Sequence, residues 1–144
     1  MTDTTPTESN LSGLDRKDFQ KNINSRKTDL YILKNAQGME VAVTNYGCAI
    51  LSIMVPDKNG KFANVILGHD SIEHVINSPE PFLSTTIGRY GNRIANGKFT
   101  LYGEEHQLTV NNGPNSLHGG PTGFHARVWD AVQPNESTVI FNYT

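Results

Sequence analysis

The sequence predicts an all-β fold, on three observations. Apolar and polar residues alternate through Met39-Glu40-Val41-Ala42-Val43-Thr44, so that residues two apart would share one face of a strand. Short apolar runs are separated by turn chemistry such as Pro56-Asp57-Lys58-Asn59-Gly60. The 144 residues include 13 glycines and 7 prolines at a hydrophobic fraction of 36%, a balance that favours many short strands over long helices.

In chain order, Met1 to Gly13 is polar, rich in Thr and Ser, and lacks the apolar centre that a secretory signal needs. It reads as a disordered leader, and residues 1–29 together form leader and lead-in to a domain over 30–144. Such a start predicts a cytoplasmic location, or a periplasmic or secreted one if a signal had been removed. The alternation over 39–44 ends at Asn45-Tyr46-Gly47. A second apolar run, Ala49 to Val55, meets Asn59-Gly60, a pair that tolerates the positive φ of tight hairpin turns. Phe62 to Leu67 is the expected return strand. Asp70-Ser71-Ile72-Glu73 is a variant capping box, in which Asp70 accepts from the first-turn amides while Glu73 reaches back. The short helix it starts runs to about Asn77, where Pro79 and Pro81 stop it. Phe82 to Ala95 reads as a loop built around glycines.

Two hairpins follow. The first pairs Gly97 to Leu101 with His106 to Val110 across Tyr102-Gly103-Glu104-Glu105, the second Arg127 to Val132 with Thr138 to Tyr143 across Gln133-Pro134-Asn135-Glu136-Ser137. The sequence stops inside this last apolar strand, so further residues are expected downstream to pair with it.

With 12 Lys and Arg against 14 Asp and Glu, there is no positive excess to draw a phosphate backbone or an anionic bilayer, so neither nucleic acid nor membrane is an expected partner. The single cysteine, Cys48, has no internal disulfide partner, and its apolar run Cys48-Ala49-Ile50-Leu51 predicts a small buried hydrophobe. Candidate metal ligands are His69, Asp70, His74, His106, His118 and His125. Only His69 or Asp70 with His74 has close-set spacing, and solvated surface histidines give the same pattern, so no metal is expected. His125 reads as a loop residue beside the site.

Two segments carry candidate chemistry. In Asn111-Asn112-Gly113-Pro114-Asn115-Ser116-Leu117-His118-Gly119-Gly120, a histidine at a strand end is bracketed by residues that force an irregular backbone, and the glycines beside it allow close approach by a ligand. An imidazole so placed suits proton transfer, and equally a loop-ordering hydrogen bond. In Gly88-Arg89-Tyr90-Gly91-Asn92-Arg93-Ile94-Ala95-Asn96-Gly97, guanidinium forks and amides sit on a glycine-rich turn. Such forks bind sugar hydroxyls or carboxylates in fixed geometry, while spacing alone favours a carboxylate or loop carbonyls as the partner of either arginine.

Gly88-Arg89-Tyr90-Gly91-Asn92-Arg93-Ile94-Ala95 followed by Asn115-Ser116-Leu117-His118-Gly119-Gly120 resembles the aldose 1-epimerase (mutarotase) family. The likeness runs from about Leu30 to the end and takes in Thr44-Asn45-Tyr46-Gly47, Val55-Pro56-Asp57, and Gly123-Phe124 before Arg127-Val128-Trp129. It implies the first part of a β-supersandwich, with 30–144 as the N-terminal part of the domain and a free aldose bound over one sheet. It assigns sugar binding to Asn92, Arg93 and His118, a catalytic role to His118, and a structural role to Arg89.

The implied reaction, part of hexose metabolism, interconverts the α and β anomers of aldoses such as galactose and glucose. The C1 hydroxyl loses a proton, the ring oxygen gains one, the ring opens, and rotation about C1–C2 precedes reclosure. That takes a general base and a general acid, with no metal or redox cofactor. The resemblance puts the base, a glutamate, and a second histidine downstream of these residues, so the chain is expected to be a fragment. A non-catalytic carbohydrate-binding β-domain is the alternative.

Overall fold

The computed structural model describes residues 10–144; residues 1–9 of the expected leader lie outside the described residues. Strands dominate, as predicted. The central element is a four-stranded antiparallel sheet in the order β3 (Leu30–Lys34), β4 (Glu40–Thr44), β5 (Ile50–Pro56), β6 (Phe62–Asn64), after a two-stranded ribbon of β1 (Asn22–Ile23) and β2 (Arg26–Lys27). Across β4 and β5, Ala42 opposes Ser52 while Val43 opposes Ile50. Leu51 is thus the extra residue of a bulge, and it points into the core at 2% exposure.

The core joins Leu30, Ala42, Ala49 and Leu51 from the sheet region to Phe19, Ile72 and Val75. Phe19 comes from a 3-10 turn over Arg16–Phe19, and the other two from α1 (Ile72–Ile76). The segment 10–29 is therefore structural. Residues 10–13, expected as disordered leader, are also held: the fully buried carboxylate of Glu40 accepts from the amides of Leu11 at 2.9 Å and Ser12 at 3.0 Å. A buried carboxylate needs such donors, and these backbone groups supply them.

Three local expectations are corrected. The return strand ends at Asn64, short of Leu67, because the Asn64 side-chain oxygen takes the amides of Ile53 and Ile66 and diverts the ladder. The helix cap is Ser71, whose Oγ accepts from His74 N at 3.3 Å; Asp70 binds His74 Nδ1 at 2.5 Å, and Glu73 pairs with Lys21. In the first late hairpin, β8 (Lys98–Leu101) pairs with β9 (Glu104–Gln107), so only Tyr102 and Gly103 turn. Their φ angles of 51° and 82° are those of a tight two-residue connection, which draws the return strand forward from the expected 106–110.

The last hairpin, β11 (Asp130–Asn135) with β12 (Thr138–Asn142), turns at Glu136-Ser137. It is attached to β3 by Lys34 N donating to Glu136 O at 2.7 Å and Gln133 Nε2 to Ile32 O at 2.8 Å. Buried Asn45 fastens the same region from within: its Oδ1 accepts from Asp29 N, and its Nδ2 donates to Lys27 O and Trp129 O. Cys48 is half-buried beside it, and burial pushes its thiol up to about 12, as an unreactive small hydrophobe.

Candidate functional site

Two short strands bring the two glycine-rich segments together. β7 (Arg93–Ile94) pairs antiparallel with β10 (Ser116–Leu117), placing Leu117 opposite Arg93 and Ser116 opposite Ile94. One residue beyond the pairing, Asn92 and His118 face each other. His118 N donates to Asn92 O at 3.0 Å, and Asn92 N donates to His118 Nδ1 at 3.0 Å. Both residues have left-handed backbones, φ 54° and 53°, which turn the chain just where the pairing ends.

The second bond fixes the chemistry of His118. A backbone amide is always a donor, so Nδ1 is the acceptor and the imidazole proton resides on Nε2. Nε2–H remains available to donate outward. The ring stands edge-to-face against Phe82 at a centroid distance of 4.8 Å. Arg93 is exposed; its Nε donates to Asn112 Oδ1 at 2.8 Å and its Nη1 to Asn92 Oδ1 at 3.3 Å. Asparagine side chains thus aim the fork while leaving guanidinium donors unused. Asn92, Arg93 and His118, the sequence-predicted site residues, therefore form one patch, and no carboxylate of the described residues bonds any of them.

Backbone around the patch is clamped. Asn111 takes both polar groups of Leu117, accepting from its amide at 2.7 Å and donating to its carbonyl at 3.1 Å. Tyr90 Oη and Ser116 Oγ are 3.1 Å apart, and Ser116, fully buried, donates on to Thr109 O at 2.9 Å. Arg89 lies apart from the patch with its guanidinium carbon 5.3 Å from the centre of the Phe124 ring, in an aromatic cluster with Trp129 and Tyr143.

His125 is more buried than a loop position implied, at 5% exposure, and its ring meets Phe82 edge-to-face at a centroid distance of 4.5 Å. Burial, then the nearby His118 and Arg127, hold it below the ordinary imidazole value of 6.5. The folded state thus resists protonation that the unfolded chain accepts, so stability is complete above 6.5 and falls as pH drops through and below it. Denaturant midpoints measured across that window should show the decline, and His125→Phe should flatten it. Phe82, Asn111 and Asn112 had no assigned role in the sequence reading; the run of asparagines before Pro114 was the one available signal, since a side-chain amide can serve both a backbone N–H and a C=O.

A groove of about 880 Å³ lies elsewhere, along β3 and the last hairpin, lined by Arg16, Leu30, Tyr31, Ile32, Lys34 and Gln133. Its cations are engaged, Arg16 by Asp29 at 2.6 Å and Lys34 by Glu40 at 3.8 Å, so the convergent unused donors favour the Asn92 patch over this groove. Among the described residues, no group of three or more His, Cys, Asp or Glu side chains is set to hold a metal ion. No helix of the described residues is long and apolar enough to cross a membrane.

Residues 29–144 match the family model described as aldose 1-epimerase. Galactose mutarotase of Bos taurus is 43% identical over 91 residues, 63% of this chain and 26% of that protein. Aldose 1-epimerase of Escherichia coli (strain K12) is 40% identical over 112 residues, 78% of this chain and 32% of that protein. Among solved structures, an aldose epimerase homologue from C. elegans superposes with a TM-score of 0.74 at 33% identity, over 79% of this chain and 35% of that one. Galactose 1-epimerase from Lactobacillus acidophilus NCFM gives 0.66 at 32% identity, over 78% of this chain and 32% of that one. The chain spans about a third or less of the length of these relatives, and the expected mutarotase-type β-supersandwich is borne out by these neighbours.

Proposed function

The chain belongs to the aldose 1-epimerase family, and from that premise we propose that Asn92, Arg93 and His118 form part of the sugar site of a mutarotase acting on a free aldose such as galactose. The observation that carries the reading is the reciprocal Asn92–His118 pair beside the aimed Arg93 fork. It presents an imidazole Nε2–H and spare guanidinium donors at one exposed edge, which suits the oxygens of a pyranose.

In the reaction, His118 donates to a ring-side oxygen and polarises the C–O bond that opens, and Arg93 with Asn92 orients the sugar. The proton acceptor for the C1 hydroxyl and the second proton-transfer group come from the part of the family's fold that these residues do not span. A cytoplasmic setting in hexose metabolism fits this substrate class.

Galactose titration of the purified chain tests the site. Arg93→Lys is expected to weaken binding at least about fivefold, roughly 1 kcal/mol, because a point charge cannot hold two oxygens and the Asn92 and Asn112 bonds together. Arg89→Lys is expected to leave binding near the wild-type value and instead lower the melting temperature, since the guanidinium face stacked on Phe124 is lost. Equal binding losses in the two variants would defeat the assignment.

A further inference from the structure

His118 is held by a single side-chain bond, at Nδ1, on a loop whose next residues Gly119 and Gly120 have φ of 88° and 80°. Such a loop does not by itself stop the imidazole from turning about its Cβ–Cγ bond, a turn that would exchange Nδ1 for a carbon at the Asn92 amide and redirect Nε2. The structure contains a wedge against that turn. Phe82 packs edge-to-face against two imidazoles: 4.8 Å and 60° to His118, 4.5 Å and 62° to His125.

The far side of the wedge is rigid. His125 is buried, with its Nδ1 lacking any hydrogen-bond partner, so its ring is present here as a packing surface. Its backbone is pressed on Gly47, where a Cβ would stand 2.4 Å from His125 O, and Gly47 N donates to Arg127 O at 2.7 Å. Phe82 is itself fixed by the turns that follow α1: Leu83 N donates to Glu80 O at 3.0 Å, Ile50 N to Ser84 O at 2.9 Å, and Thr86 N to Gly47 O at 2.8 Å. The one soft member of the stack is His118.

We propose that Phe82 is a positioning residue of the sugar site: wedged against His125, it keeps the His118 ring turned with Nδ1 on the Asn92 amide and Nε2–H toward the sugar. This role rests on the sugar-site reading above for its purpose, but its physical content is the orientation of one imidazole. A ring held correctly for only a fraction of the time lowers apparent affinity by that fraction, without any lost contact to the ligand.

Imidazole nitrogen spectra of the 144-residue protein decide it, with galactose titration as the second readout. In the wild type, His118 is expected to show the Nε2–H tautomer with a hydrogen-bonded Nδ1. Phe82→Leu removes the flat wall and should convert that signature to a mixture, weakening galactose binding about fivefold if the ring is competent a fifth of the time. Phe82→Tyr keeps the ring and should restore both. Phe82→Met carries the same readout if the leucine variant does not fold. A folded Phe82→Leu or Phe82→Met protein whose His118 signature equals the wild type overturns the proposal, whatever its melting temperature, because packing alone would lower stability and leave the tautomer untouched. If galactose fails to perturb wild-type His118, the sugar-site reading fails, and the tautomer comparison still decides what Phe82 does.

Discussion

Gly119→Ala is expected to destabilise the protein by about 3 kcal/mol or more, and to release His118 from Asn92 in whatever remains folded. The φ of 88° is costly for alanine, and a Cβ there would stand 2.0 Å from Gly88 O and 2.7 Å from its carbonyl carbon. The obstacle is backbone, which has no rotamer to change. Nor is Gly88 free to retreat, because its own Cβ position faces the Phe124 ring at 2.3 Å and its carbonyl accepts from Phe124 N at 3.0 Å. Gly103→Ala is the control: φ is 82°, nothing lies within 4 Å of the added carbon, and only the left-handed strain of about 1–2 kcal/mol applies. Denaturant unfolding of the two variants makes the comparison. Equal losses would mean that the 88–119 approach opens freely and is not what sets the His118 loop.

How much of this was legible in the sequence varies with the kind of signal each residue carries. β4 and β5 were readable because their apolar residues alternate or run to a strong Asn-Gly turn. β3 was missed: Leu30-Tyr31-Ile32-Leu33 is apolar without alternation, and both faces are covered to some degree along its length. The β1–β2 ribbon was missed for a different reason. Asn24 and Ser25 turn it at φ 49° and 65° without a glycine, so the usual dipeptide signal is absent. The buried start of the domain was hidden because Glu40 looks like the polar half of an alternating strand, whereas its carboxylate faces inward to hold the amides of Leu11 and Ser12.

The patch itself was readable as two motifs, since clustered glycines and asparagines favour turns, and Asn92, Asn96, Gly97, Gly113, Gly119 and Gly120 do adopt left-handed backbones. What they do to each other was not. That Asn92 N lands on His118 Nδ1 depends on the β7–β10 register, a tertiary fact. The different surroundings of the arginines were likewise illegible: Arg93 bonds Asn92 and Asn112, while Arg89 lies over the Phe124 ring, and the roles given to them rest on the resemblance and the proposal above. Phe82 carried no signal, because a lone aromatic after Pro81 is ordinarily packing.

Polarimetry on fresh α-galactose carries the largest expected difference in rate. The 144-residue chain is expected to leave mutarotation at its spontaneous rate, since in the proposed site Asn92, Arg93 and His118 would bind and polarise the sugar but hold no carboxylate to take the C1 proton. A chimera joining residues 29–144 to the remaining sequence of the E. coli relative should accelerate it. In that chimera, His118→Asn is expected to lower kcat/KM by around a hundredfold, about 2.7 kcal/mol of barrier, as for a lost polarising or proton-transfer group. Asparagine is chosen because it tolerates a φ of 53° and its Oδ1 can accept from the Asn92 amide where Nδ1 did, while nothing replaces Nε2–H. A loss confined to kcat would place that donor at the transition state; a rise in KM alone would make it a ground-state contact. A chimera variant within about threefold of its parent, roughly 0.7 kcal/mol, removes His118 from the chemistry. Acceleration by the 144-residue chain that vanishes with His118→Asn would show instead that a complete acid and base are already present within it.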